Sequence, residues 1–176
     1  MKNINLMTLV GVLVGFGIAY LYTAEGENDG NAAIDHDYNT NENYAANLEI
    51  AQKFMQLHEV EDLESQIAML SDDLQHEPPR YGSEIQDKAG FINDVKGYQD
   101  NFENMDFTPK YWLPGTDSLG NLNGSVRVYG VWTATHTESQ KDITLRSYHY
   151  WDFEDGLIVS VGDYFDATGM MKSLED

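Results

Sequence analysis

Cysteine is absent from the 176 residues, which excludes a disulfide framework and thiolate metal sites and leaves the redox compartment open. Positive charge is scarce too. Ten Lys and Arg stand against thirty Asp and Glu, for a net charge of −20. Such a surface repels nucleic-acid phosphates and anionic lipid, so nucleic acid is not an expected partner. The same charge serves solubility or a saline habitat.

Long apolar runs are confined to one place. Met1 to Tyr22 holds LMTLVGVLVGFGIAYLY behind a single basic residue, Lys2. The run sits at the lower limit of the roughly 17–25 residues that span a membrane. It exceeds the roughly 7–15 of a signal-peptide core, and no clean small-x-small cleavage site follows. Residues 1–24 therefore read as a membrane anchor, the alternative being a cleaved signal segment. Lys2 inside and the acidic flank outside would place the domain on the extracytoplasmic side, or secrete it if the segment is removed. Residues 25–46, rich in Asn, Asp, Glu and Gly, read as a flexible acidic linker, and 47–176 as the folded domain. Asp35-His36-Asp37 in the linker reads as solvated charge, not a metal site.

The domain opens with a helical pattern from Asn47 to Leu70. Ile50, Phe54 and Leu57 form one apolar stripe; Val60, Leu63, Ile67 and Leu70 form a second. The shift near His58 to Asp62 predicts two helices meeting at an angle. Leu74 to Glu77 reads as a short strand ended by Pro78-Pro79, with His76 able to line a pocket. Lys88 to Phe102 is a third helix that carries Tyr98. Asp106 to Leu113 is a strand that carries Trp112, Pro114 to Gly124 a long loop, and Thr168 to Leu174 a final helical turn.

Three strand-like runs between Ser125 and Asp166 organise the rest. Alternation puts Val126, Val128, Gly130, Trp132 and Ala134 on one face of the first. In the second, Ile143, Leu145, Ser147, His149, Trp151 and Phe153 form the apolar set. In the third it is Leu157, Val159, Val161, Asp163 and Phe165. A three-residue turn at Glu154-Asp155-Gly156 would set Phe153 against Leu157, His149 against Val161 and Ser147 against Asp163. Opposing Glu138 with Lys141 would set Trp132 against Ser147 and Gly130 against His149. His149 and Asp163 then become diagonal neighbours, roughly 7–8 Å apart. Gly130 beside His149 leaves room for a small cavity.

The order of elements, the pieces LSDDLQHEPP and GVWTATHT, and above all EDGLIVSVGDYFD resemble the nuclear-transport-factor-2-like superfamily, and within it the SnoaL-like proteins. The resemblance spans roughly Asn47 to Leu174. It implies an α+β fold: a cone-shaped half-barrel whose curved antiparallel sheet wraps three helices around an apolar pocket. It also implies a choice between enzymes, such as polyketide cyclases, ketosteroid isomerases, dehydratases and epoxide hydrolases, and non-catalytic binding modules. In SnoaL-like cyclases an aspartate on the last strand, paired with a histidine one strand away, is the acid–base group. Asp163 and His149 stand at the matching positions. Gly162 departs from the large aromatic common there, which would reshape the pocket.

Lodged among Val161, Phe165 and Trp132, the Asp163 carboxyl is expected to be poorly solvated, its pKa raised toward neutrality where it would abstract a proton alpha to a carbonyl. His149 would stabilise the resulting enolate. Tyr98 or Trp112 would cap an aromatic or steroid-like ligand, a small hydrophobic molecule. No cofactor is called for, and His76, His136 and His149 lack a metal-ligand spacing. The competing reading is a structural His149–Asp163 pair in a ligand-binding or interaction module without turnover. Tyr129, Val131, Tyr148 and Tyr150 give the outer sheet face an aromatic patch suited to a homodimer.

Overall fold

The computed structural model describes residues 42–175. The apolar segment expected to anchor the chain and most of the expected linker lie outside them. No helix among the described residues is long and apolar enough to cross a membrane.

Four helices and five strands follow in the order α1 (Glu42–Glu59), α2 (Leu63–Ala68), β1 (Leu70–Glu77), α3 (Lys88–Asn101), β2 (Phe102–Thr116), β3 (Leu122–His136), β4 (Asp142–Glu154), β5 (Leu157–Tyr164) and α4 (Ala167–Leu174). Helix α1 begins upstream of Asn47, whose side chain is not a cap but donates to the Gly124 carbonyl. The break between α1 and α2 falls where the apolar stripe shifts. Asp62 caps α2, accepting the Ser65 amide, which satisfies one of the donors a helix start leaves free.

The sheet runs β1-β5-β4-β3-β2. It is antiparallel except at one edge, where β1 lies parallel to β5. Pairing of β2 with β3 slips three times, with Asn104 in a left-handed conformation at the first slip. Bulges of this kind bend a strand and sharpen its twist, so the sheet curls over the helices. Its concave side packs Val126, Val128, Trp151, Ile158 and Val161, each at most 1 % exposed, against Phe54, Met55, Phe91 and Val95 from α1 and α3.

Both central registers differ from the expected ones by two residues. His149 faces Val128 on one side and Asp163 on the other, Trp132 faces Leu145, and Gly130 faces Ser147. A two-residue slip keeps every side chain on its face, which is why the apolar sets hold although the pairs do not. The β4–β5 turn has two residues, not three. Asp155 (φ 50°) and Gly156 (φ 79°) are both left-handed, the backbone of a type I′ hairpin that matches strand twist. A bulge at Val159 then reverses the alternation of β5. Leu157 is 40 % exposed, and Ile158 is fully buried in its stead. The bulge thus exchanges one apolar side chain for another of the same size, and the core stays filled.

Candidate functional site

A cavity of about 100 Å³ lies between the sheet and the helices. Its polar floor is assembled from four strands. Asp163 on β5 sits between two imidazoles: His149 Nδ1 lies 2.6 Å from Oδ1 and His76 Nε2 lies 3.0 Å from Oδ2. His149 is the direct cross-strand neighbour of Asp163. His76 arrives on β1, where it pairs with Val161. The two histidine side chains are 7 % and 2 % exposed, and the carboxylate 19 %.

The partners on the far sides of the rings fix the protons. Trp132 Nε1, which can only donate, meets His149 Nε2 at 3.1 Å. Nε2 therefore accepts, and His149 carries its proton on Nδ1, donated to Asp163. Ser147 Oγ lies 2.9 Å from the same Nε2. The Gln86 amide oxygen lies 3.1 Å from His76 Nδ1, so both His76 nitrogens face acceptors, the arrangement of an imidazolium. Gln86 also exchanges both backbone hydrogen bonds with His76, which holds the ring in place from the free side of β1.

The electrostatics follow. Burial would raise the Asp163 pKa, but the hydrogen bonds from His149 and His76 outweigh it and hold the carboxyl well below the usual range. The raised value expected from an apolar setting is thus corrected: desolvation was one influence among several, and two imidazoles overrule it. Burial would lower His76, yet the bond to Asp163, its charge, the Gln86 carbonyl and Asp94 raise it. A third histidine, His58 on α1, meets the edge of Trp132 at 5.3 Å. Burial pushes it down to about 4, so it is neutral. Tyr98 is pushed up to about 12, by burial first and then by Asp163.

Of the residues picked from sequence, Asp163, His149, Trp132, Val161, Tyr98 and His76 line the cavity. Ser147 stands behind it as a partner of His149. Two others do not belong to it. The space over Gly130 is filled by the Phe107 ring, which a Cβ there would strike, and Phe107 packs on Trp132 at 4.8 Å. Trp112 is partly buried and stacks on Trp151 at 6.2 Å, against the core. Gly162 is likewise covered, by the Tyr150 ring, so it shapes the outer face and not the pocket.

Sequence reasoning missed His58, Gln66 and Asp94, all lining the cavity from the helices. Gln66 is 1 % exposed and bonds the Phe54 carbonyl and the Gln99 amide. His58 does carry a signal: it falls one helical turn after Phe54, on the apolar stripe. Trp151 also lines the cavity, and its Nε1 is buried with no acceptor among the described residues. No group of three metal-ligating side chains placed to hold an ion occurs among the described residues.

Helices held against a curled sheet, with a polar cluster on the floor of an apolar cavity, are the layout of nuclear-transport-factor-2-like proteins. Within that class the chain belongs to the SnoaL-like domain family, whose profile matches residues 51–161. No curated protein matches it. Among solved structures it is similar to a nuclear-transport-factor-2-like protein of unknown function from Burkholderia pseudomallei, at 20% identity over 74% of this chain and 98% of that one, TM-score 0.60. A candidate isomerase from Bacillus subtilis aligns at 19% identity over 76% and 95%, TM-score 0.63. A candidate polyketide cyclase from Xanthomonas campestris pv. campestris aligns at 16% over 75% and 98%, TM-score 0.58. At these identities the likeness is one of fold.

Proposed function

We propose that the domain binds a small apolar carbonyl compound and moves a proton on it, as an isomerase, cyclase or dehydratase acting without a metal. The observation that carries this reading is Asp163, an ionised carboxylate lining an apolar cavity between two imidazoles. In this scheme Asp163 takes the proton alpha to the carbonyl and returns it at another carbon. A carboxylate so stabilised is always ready to accept but is a weak base, so the enolate must be stabilised too. The His76 charge would favour that anion through space. His149, fixed by Trp132 and Ser147, orients Asp163.

Cyclohexanone, small and apolar, suits a first test. Its alpha protons exchange in D₂O, and proton NMR follows the loss. The chain should accelerate exchange, and Asp163→Asn should cut that acceleration by about 10²–10⁴-fold, the usual weight of a general base. An Asn variant as fast as the parent would remove Asp163 from the chemistry. Bound cyclohexanone exchanging at the buffer rate would favour the second reading, a binding module without turnover. That reading draws on the depressed Asp163 pKa, which suits a fixed acceptor for a ligand hydroxyl.

Two further proposals concern setting. Met1 to Tyr22 would tether the domain to a membrane on its extracytoplasmic side; release of the chain by alkaline carbonate would refute this. The outer face carries Tyr129, Tyr148 and Tyr164 in contact at 4.9 and 5.6 Å, with Tyr129 and Tyr164 about half exposed. It would serve a homodimer, and native mass spectrometry reads the subunit count.

A further inference from the structure

The cavity is too small for most metabolites. At about 100 Å³ it is on the scale of a cavity of roughly 150 Å³ that holds benzene, and far below the roughly 300–1,000 Å³ of ordinary ligand sites. Three of its lining residues face a second space as well. Asp94, Tyr98 and Phe102 also border a second, outer cleft of about 630 Å³ between α3 and α4. Taken together the two spaces fall within the ordinary range.

The cleft differs in character from the cavity. Asn93, Asn101 and Thr168 contribute uncharged polar groups. Arg80 is neutralised by Asp94, which accepts from its Nη2 at 2.9 and 3.1 Å. Lys172 and Glu175 offset one another in the same lining. The cleft therefore offers hydrogen bonds without net charge, which suits a neutral polar group and gives an anion no surplus cation.

Gly97 is the third observation. It lies inside α3, where glycine costs about 0.5–1 kcal/mol relative to alanine. Its backbone is not left-handed, and a Cβ there would meet nothing within 4 Å. Neither turn nor packing calls for glycine; what its missing side chain does is leave the floor of the cleft open.

We propose that the outer cleft is the second half of the binding site. It holds the neutral, hydroxyl- or amide-bearing portion of a ligand whose compact apolar portion enters the cavity. The ligand class is an uncharged amphipathic molecule with a head of about six heavy atoms. This rests on the reading of the cavity as a ligand site.

The test uses the full-length chain, ligand-observed NMR titrations and three probes: cyclohexanone, methyl β-glucoside and cyclohexyl β-glucoside. Cyclohexyl β-glucoside should bind about tenfold tighter than either part alone, the increment of one or two retained hydrogen bonds. Gly97→Trp, which sets an indole in the cleft, should abolish that advantage and leave cyclohexanone binding unchanged. Gly97→Ala should keep the advantage and raise the melting temperature, showing that the position tolerates a side chain. If cyclohexanone binds but the glucoside gains nothing, or if Gly97→Trp leaves the gain intact, the outer subsite is refuted and the cavity stands. If neither cyclohexanone nor cyclohexyl β-glucoside binds, the cavity reading fails and takes the subsite with it.

Discussion

Asp163 stands directly across the β4–β5 ladder from His149, and its Oδ1 receives the Nδ1–H at 2.6 Å. Its other oxygen meets His76, which lies 87 residues away in sequence. One carboxylate therefore sets the proton placement of two rings, and removing its charge should be felt in both.

His76 owes its raised pKa to Asp163, against the opposing pull of burial. In Asp163→Asn, burial is left as the dominant influence, so His76 should titrate below its ordinary value of 6.5. The Cε1 proton of His76 in an NMR pH titration reads this. A value still above 6.5 would mean that Asp163 is not the counter-ion.

Stability should peak near the ordinary imidazole value. His76 has a raised pKa in the folded state, so its contribution is complete below 6.5 and is lost as pH rises through the folded value. His58 is depressed to about 4, so the unfolded chain takes up a proton between 6.5 and about 4 that the folded chain refuses, and stability falls with pH there. Its share is on the order of 3 kcal/mol. The Asp163 contribution holds above the ordinary 3.8 and is lost only as pH falls through its still lower folded pKa. Urea unfolding against pH should show this maximum. His58→Leu should flatten the limb between about 4 and 6.5, and Asp163→Asn the alkaline limb.

Trp132→Phe removes the donor that holds His149 Nε2 as an acceptor. Asp163 still accepts at Nδ1 and Ser147 Oγ still lies against Nε2, so the proton should stay on Nδ1 and the loss should move chiefly the Nε2 ¹⁵N shift. The loss should cost about 1–3 kcal/mol of stability. A proton moved to Nε2 would show that Trp132, and not Asp163, selects the tautomer.

Gly130→Ala should destabilise by about 1–3 kcal/mol, since its methyl group meets the Phe107 ring. Phe107→Leu should recover part of that loss when the two are combined. Additive effects would show that the ring does not occupy the space above Gly130.

How much of this could be read from the chain depends on which physical signal each feature carries. Side-chain alternation fixed which residues of β3 and β4 face inward, so His149, Trp132 and Trp151 were placed on the right face. Register was not so readable, because a slip of two preserves faces and the turn lengths allow it. The His149–Asp163 pairing was therefore expected as a diagonal and is in fact a direct pair. Local pattern also gave no hint of the parallel edge that brings His76 to Asp163. With the second imidazole unseen, desolvation was the only influence left, and the sign of the Asp163 shift came out wrong. His58 and Gln66 reach the cavity from helices, a long-range placement that periodicity within one element does not encode.

Strand β2 forms one rim of the sheet and carries Pro109 and Pro114. Neither proline has an amide hydrogen to offer, and Lys110 adds charge between them. An incoming strand would find this rim interrupted at both prolines. Many copies held close together should therefore stay discrete rather than zip into a continuous ladder.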